Sequence, residues 1–233
     1  MCTLSYIPID SQQFFWVQNR DESPKRHTLQ LVKDDSLGVL YPKDPLSGGS
    51  WIAASKNNRV VSLLNGAFVQ QPYQISKHKS RGLVVLDAIQ ANSIVDFLNN
   101  YELKGIEPFT MIIRDAALMW ELRWDKNQKY FCQIHPKYAY VWSSSMLYDS
   151  NVKAMRQRWF RDFLRVHPVP SLESVQNFHL KAGVNNPEID LVMNRPYVQT
   201  VSMTSVICTQ DAVEMQYHDL VQNESQSQHL TFI

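Results

Sequence analysis

The chain has 233 residues, of which 44% are hydrophobic, 11% aromatic and 19% charged. That is enough apolar material for a well-buried core, excludes a disordered chain, and suits one or two domains. With 23 basic against 22 acidic residues, net charge +1, no global field draws in nucleic acid. The short basic patches Lys25-Arg26-His27 and Lys77-His78-Lys79 read as solvated surface. No apolar run reaches the length of a transmembrane helix. The N-terminus, MCTLSYIPID, lacks a basic n-region and a long apolar h-region, so no signal peptide is expected. Three cysteines, Cys2, Cys132 and Cys208, with no CxxC, fit a reducing, cytoplasmic setting and exclude a disulfide scaffold. The seven histidines show no HxH or HExxH, and no phosphate-binding glycine loop occurs. No metal and no cofactor are expected.

In chain order, Cys2 to Ile9, Phe14 to Asp21 and His27 to Lys33 read as strands, being rich in β-branched and aromatic residues. Trp51 to Ser55 and Arg59 to Leu64 form a hairpin around Lys56-Asn57-Asn58. Apolar spacing from Leu83 to Asn99 predicts one amphipathic helix. Strands are expected at Phe109 to Arg114, Leu118 to Trp124, Tyr130 to His135 and Tyr138 to Trp142. A helix from about Asn151 to Val166 follows, capped by Asp149 or Ser150, with Arg156, Arg158, Arg161 and Arg165 as a solvated face. Another starts at Ser171 and ends at Gly183. Strands from Thr200 to Cys208 and Val213 to His218, a polar linker from Gln222 to Gln228 and a short strand from Leu230 to Ile233 complete a single α+β domain, 1–233.

Cys2 is the most informative residue. A small second residue permits removal of Met1, which leaves a thiol and a free α-amine on one residue. With a pKa of about 8, that amine can serve as general base for its own thiol. A turn centred on Asp10 to Gln13 places Cys2 opposite Asp21, with Asn19, Arg20 and Glu22 beside it. An aspartate there can hold an α-ammonium, and an arginine can lower a thiol pKa or bind a carboxylate. The tryptophans, Trp51 among them, read chiefly as core, and Cys132 and Cys208 as buried and inert.

The start MCTLS with Asn19-Arg20-Asp21-Glu22 resembles the NRDE family, also called the Transport and Golgi Organization 2 family. The resemblance continues through Gly48-Gly49-Ser50-Trp51-Ile52, Arg59 to Asn65 and Ser80-Arg81-Gly82, covering roughly the first third of the chain. That family is similar to the N-terminal nucleophile hydrolases of the penicillin V acylase and bile-salt hydrolase group. The resemblance implies a four-layer αββα sandwich of two antiparallel sheets and hydrolysis of a non-peptide amide C–N bond. It implies Cys2 as nucleophile and base, Asp21 as orienter of the amine, and Asn65, followed by Gly66, in the oxyanion hole. Asn19, Arg20, Glu22, Trp51 and Ser144 would support the site. Two positions depart from the acylase pattern. Ser144 stands where acylases carry a second asparagine, and Met203 or a neighbour where they carry a late arginine. The acylase arginine near the nucleophile falls at Gln18, not Arg20.

The expected partner is thus a small-molecule amide substrate. The alternative is a non-catalytic carrier of haem or a lipid or acyl ligand on the same fold, for which no axial histidine or cysteine stands out.

Overall fold

The computed structural model describes residues 2–26, 28, 30–69 and 79–232. The first hairpin is β1 (Cys2–Pro8) and β2 (Phe14–Glu22). Next come β3 (Leu31–Asp34), β4 (Val39–Pro42), β5 (Ile52–Ser55) and β6 (Arg59–Asn65). Helices α1 (Arg81–Gln90) and α2 (Ile94–Asn100) precede β7 (Phe109–Asp115), β8 (Leu118–Trp124), β9 (Lys129–Ile134) and β10 (Tyr140–Ser143). Helices α3 (Ser150–Val166) and α4 (Leu172–Lys181) lead to β11 (Gln199–Cys208), β12 (Ala212–Asp219) and β13 (Glu224–Thr231).

The strands form two antiparallel sheets, one in the order β10-β1-β2-β11-β12-β13, the other running from β3 to β9 in sequence order. Leu4, Tyr6, Trp16, Ile52, Leu64, Ile112 and Met215 interdigitate between them. On the far face of the seven-stranded sheet, Val84, Val85, Ile89, Phe97 and Leu98 of α1 and α2 pack on Val61, Leu63, Met111 and Ile113. On the far face of the other, Phe160 of α3 and Phe178 of α4 pack on Ile7, Val17 and Met203. The result is the expected αββα order of layers. It explains the burial patterns. Strands covered on both faces, such as β1 and β6, are buried almost throughout, whereas β12 alternates because only its inner face is covered.

Several expectations need correction. The span from Leu83 to Asn99 is two helices, because the backbone turns extended at Ala91 and Ser93 caps a second helix through the Asp96 amide. β4 has no counterpart in the sequence reading. The Gln/Ser-rich stretch is not a linker but most of edge strand β13, held by eight register pairs with β12. Its exposure removes any need for apolar residues. The caps at Asp149 and Ser171 are as expected, since their side chains accept from the Val152 and Ser174 amides. The expected strand start at His27 and end at Ile233, and Lys77-His78, lie outside the described residues.

Candidate active site around Cys2

The register of the first hairpin decides which side chains meet Cys2. Five residues, not four, form its connection, because Pro8 pairs with Phe14. The Asp10 carboxylate accepts from the Gln12 and Gln13 amides, both at 2.7 Å, and the Ile9 amide donates to the Gln13 carbonyl at 2.8 Å. This turn draws Ile9 out of β1. Cys2 therefore lies opposite Arg20, not Asp21. A one-residue slip exchanges the two faces of a strand, so Arg20 shares the inter-sheet face with Cys2 while Asp21 points to the helices.

On the inter-sheet face, Arg20 donates to the Asp44 carboxylate at 2.6 Å and to the Arg26 carbonyl, also at 2.6 Å. Its guanidinium lies 4.3 Å from the centre of the Trp51 ring. Arg26 joins the same Asp44 oxygen at 2.9 Å, and Glu22 pairs with Arg26 at 3.2 Å rather than with the thiol. Gln18 follows Arg20 on this face and donates to the Leu63 carbonyl at 3.0 Å. Ser202 and Thr204 of β11 lie directly opposite Arg20 and Gln18, and Tyr217 of β12 lies opposite Thr204.

The Cys2 side chain is only 1% exposed. Burial pushes its thiol pKa up, and the negative charge of Asp21 adds to this; the Gln18 side chain and Arg20 pull it down by less. Cys132, expected to be buried, is exposed on edge strand β9, while Cys208 is buried with its pKa pushed up to about 12.

The helix face holds a separate polar network. The Asp21 carboxylate accepts from Tyr148 at 3.0 Å and Thr200 at 2.7 Å, and is fully buried. Burial raises its pKa, against the opposing pull of Arg156. Arg156 is not on a solvated face as expected. It is buried, donates to Thr3 at 2.6 Å and to the Ile189 and Asp190 carbonyls, and stacks 3.6 Å from the centre of the Tyr148 ring. Asn19 donates to the His179 and Leu191 carbonyls and meets His179 Nδ1 at 3.1 Å, while Ser5 meets Nε2 at 2.7 Å. Asn19 thus fastens α4 to the sheet and does not face the thiol.

Asn65 ends β6, and Gly66 follows at φ +86, where an added Cβ would stand 2.8 Å from the Met146 amide. Ser144 binds this corner to the nucleophile strand. Its amide donates to the Cys2 carbonyl at 3.0 Å and its hydroxyl to the Asn65 carbonyl at 2.7 Å. The structure thus gathers Cys2, Arg20 and Trp51 on the inter-sheet face, with Ser144 and the Asn65 carbonyl at its end, Asp21 and Asn19 behind it and Glu22 at its rim. Met203 lies on the helix face, opposite Asn19. Sequence reasoning missed Tyr148, Thr200 and the burial of Arg156, for which the available signal was its i,i+4 spacing from Phe160 on one face of α3. Among the described residues, no His, Cys, Asp or Glu side chains are grouped so as to hold a metal ion, and no helix is long and apolar enough to cross a membrane.

The sequence profile of the family described as Transport and Golgi organisation 2 matches residues 1–218. The chain belongs to that family. No curated protein matches it. Its fold is similar to a Caenorhabditis elegans N-acylethanolamine-hydrolyzing acid amidase ortholog, with a TM-score of 0.61 at 12% identity over 88% of this chain and 92% of that one. Two variants of conjugated bile acid hydrolase from Clostridium perfringens have TM-scores of 0.59 and 0.58 at 10% identity over 100% of this chain, and 97% and 96% of theirs. The chain therefore has the fold of N-terminal nucleophile hydrolases.

Proposed function

We propose that this chain is an N-terminal cysteine amidohydrolase that cleaves a non-peptide amide C–N bond of a small acylated substrate. The observation that carries the reading is the place of Cys2: first residue of a central strand, on the inter-sheet face, with its carbonyl tied through Ser144 to the Asn65 corner. Amide hydrolysis by structural neighbours supports the reaction class.

The chemistry follows from a processed terminus. With Met1 removed, the Cys2 amine takes the thiol proton, and the thiolate adds to the amide carbonyl. The tetrahedral intermediate collapses with C–N cleavage, the proton passes to the leaving amine, and a thioester remains. Water then adds to the thioester, the C–S bond breaks, and the acyl group leaves as a carboxylic acid while the thiol is restored. Asp21, whose carboxylate is fixed by Tyr148 and Thr200, holds the ammonium form of the terminus. Asn65 supplies the oxyanion donor, worth roughly 2.7–4 kcal/mol of transition-state stabilisation.

The test is intact-protein mass spectrometry after incubation with a panel of N-acyl amino acids, acyl-homoserine lactones, phenylacetyl amides and bile conjugates. The expected result is a chain lacking Met1 that carries an acyl adduct on Cys2, absent in Cys2→Ala. Retention of Met1, or no adduct and no turnover with any amide, overturns the reading. The burial of Cys2, which raises its thiol pKa, favours the second reading, a carrier of haem or an acyl ligand. Tight ligand binding without turnover would establish it.

A further inference from the structure

Four buried polar atoms at the Cys2 end of the inter-sheet face lack a hydrogen-bond partner among the described residues: Gln18 Oε1, Ser202 Oγ, Thr204 Oγ1 and Trp51 Nε1. Unpaired buried polar atoms are rare because each has given up water for nothing. Here they come together. Gln18 and Thr204 are direct cross-strand partners, Trp51 packs on Tyr217, the other cross-strand neighbour of Thr204, and Arg20, the cross-strand partner of both Cys2 and Ser202, lies over the Trp51 ring. The bond from Gln18 Nε2 to the Leu63 carbonyl fixes which way the amide faces and leaves Oε1 as the free end. The unfilled set is one acceptor, one donor and two hydroxyls that can serve as either.

Charge narrows what fits. Arg20, the cation on this face, already has Asp44 and the Arg26 carbonyl as partners, and its side chain and that of Asp44 are 4% and 6% exposed. With the Cys2 ammonium held by Asp21 on the other side of the sheet, an anionic group entering beside the thiol would lose its water without gaining a free cation, and a cationic group would face Arg20 itself.

We infer that Gln18, Ser202, Thr204 and Trp51 form a subsite beside the Cys2 thiol for an uncharged hydrogen-bonding group, an amide or hydroxyl, of the molecule bound there. As a statement about substrate, the inference rests on the hydrolase reading and names its class: neutral acyl amides rather than acyl amino acids with a free carboxylate. Trp51, 6% exposed, is the member nearest solvent.

The test uses full-length Cys2→Ala, in which alanine also permits Met1 removal, titrated calorimetrically with N-lauroylglycinamide and N-lauroylglycine. The two differ only in an uncharged amide against a carboxylate. The expected result is at least roughly tenfold tighter binding of the glycinamide, with Thr204→Val and Gln18→Met each weakening it about tenfold and leaving the weaker carboxylate ligand unchanged. Gln18→Arg should reverse the preference. Should that variant not fold by circular dichroism, the near-isosteric Thr204→Val carries the comparison. Equal affinities, a carboxylate preference, or no binding of either compound overturns the subsite and leaves the four atoms to buried water. Incubating the Cys2 protein with the glycinamide separates the two readings. Selective binding with no thioester adduct sinks the hydrolase and keeps the subsite; an adduct formed without charge preference does the reverse.

Discussion

Ser144 donates its hydroxyl to the Asn65 carbonyl at 2.7 Å, a bond between segments 79 residues apart in sequence. Because its amide also reaches the Cys2 carbonyl, one serine couples β1 of one sheet to β6 of the other. Ser144→Ala leaves the Asn65 carbonyl with only the longer 3.4 Å bond from the Met146 amide and should cost about 0.5–1.5 kcal/mol. For a chain of this size, each kcal/mol lowers Tm by about 2–4 °C. Calorimetry that shows an unchanged Tm would remove this tie from the account.

Asp21→Asn should destabilise the protein as well as slow it. The carboxylate accepts from two hydroxyls in a fully buried setting, and an asparagine offers one acceptor oxygen where two are used. It also leaves Arg156 without the nearby negative charge. A loss of about 1–3 kcal/mol in urea unfolding is expected. A loss of acylation with unfolding unchanged would show that Asp21 serves the terminus alone.

Thiol labelling of the folded chain should report Cys132 first. It is exposed on β9, whereas Cys2 and Cys208 are buried; partial burial and Glu121 raise the pKa of Cys132 as well, so access of the reagent carries the contrast. Iodoacetamide at neutral pH followed by peptide mapping should modify Cys132 at least about tenfold faster than Cys208, since the reacting form is an accessible thiolate. Faster modification of Cys2 than Cys132 would mean that the nucleophile is uncovered in solution.

His179 predicts a loss of stability in acid. Burial and the charge of Arg156 lower its pKa to about 3. Below its unfolded pKa of about 6.5 the unfolded chain takes up a proton that the native chain refuses. The stability tied to neutral His179 is whole above about pH 6.5 and lost as pH falls toward 3, by up to about 1.4 kcal/mol per unit. The raised pKa of Asp21 works in the opposite sense in acid, so the difference between the parent chain and His179→Gln isolates the histidine. Parallel stability profiles for the two would contradict the assignment.

The strands and caps were legible because their signals are local. Alternation marks β8 and β12, and Asp149 and Ser171 stand just ahead of apolar stripes. Register was not legible, because the Asp10 side chain enlarges the first turn by one residue through bonds that a count of turn positions does not show. Arg156 was misread for a related reason. Its burial is set by Thr3, Tyr148 and the 189–190 carbonyls, all distant in sequence. The motif Asn19-Arg20-Asp21-Glu22 was legible as a unit but not as four roles: it divides between the two faces of β2, with Asn19 and Asp21 toward the helices and Arg20 toward the thiol.

Edge strand β13 carries Glu224, Ser225, Gln226, Ser227, Gln228 and His229, a sequence with little appetite for another chain. Edge strand β9 presents Tyr130 and Phe131 at 41% and 39% exposure. Natural sheets guard open edges with charge or bulges because an unguarded one templates aggregation. Phe131→Lys places such a guard on β9 without touching the layer that holds Cys2, and should raise solubility on heating.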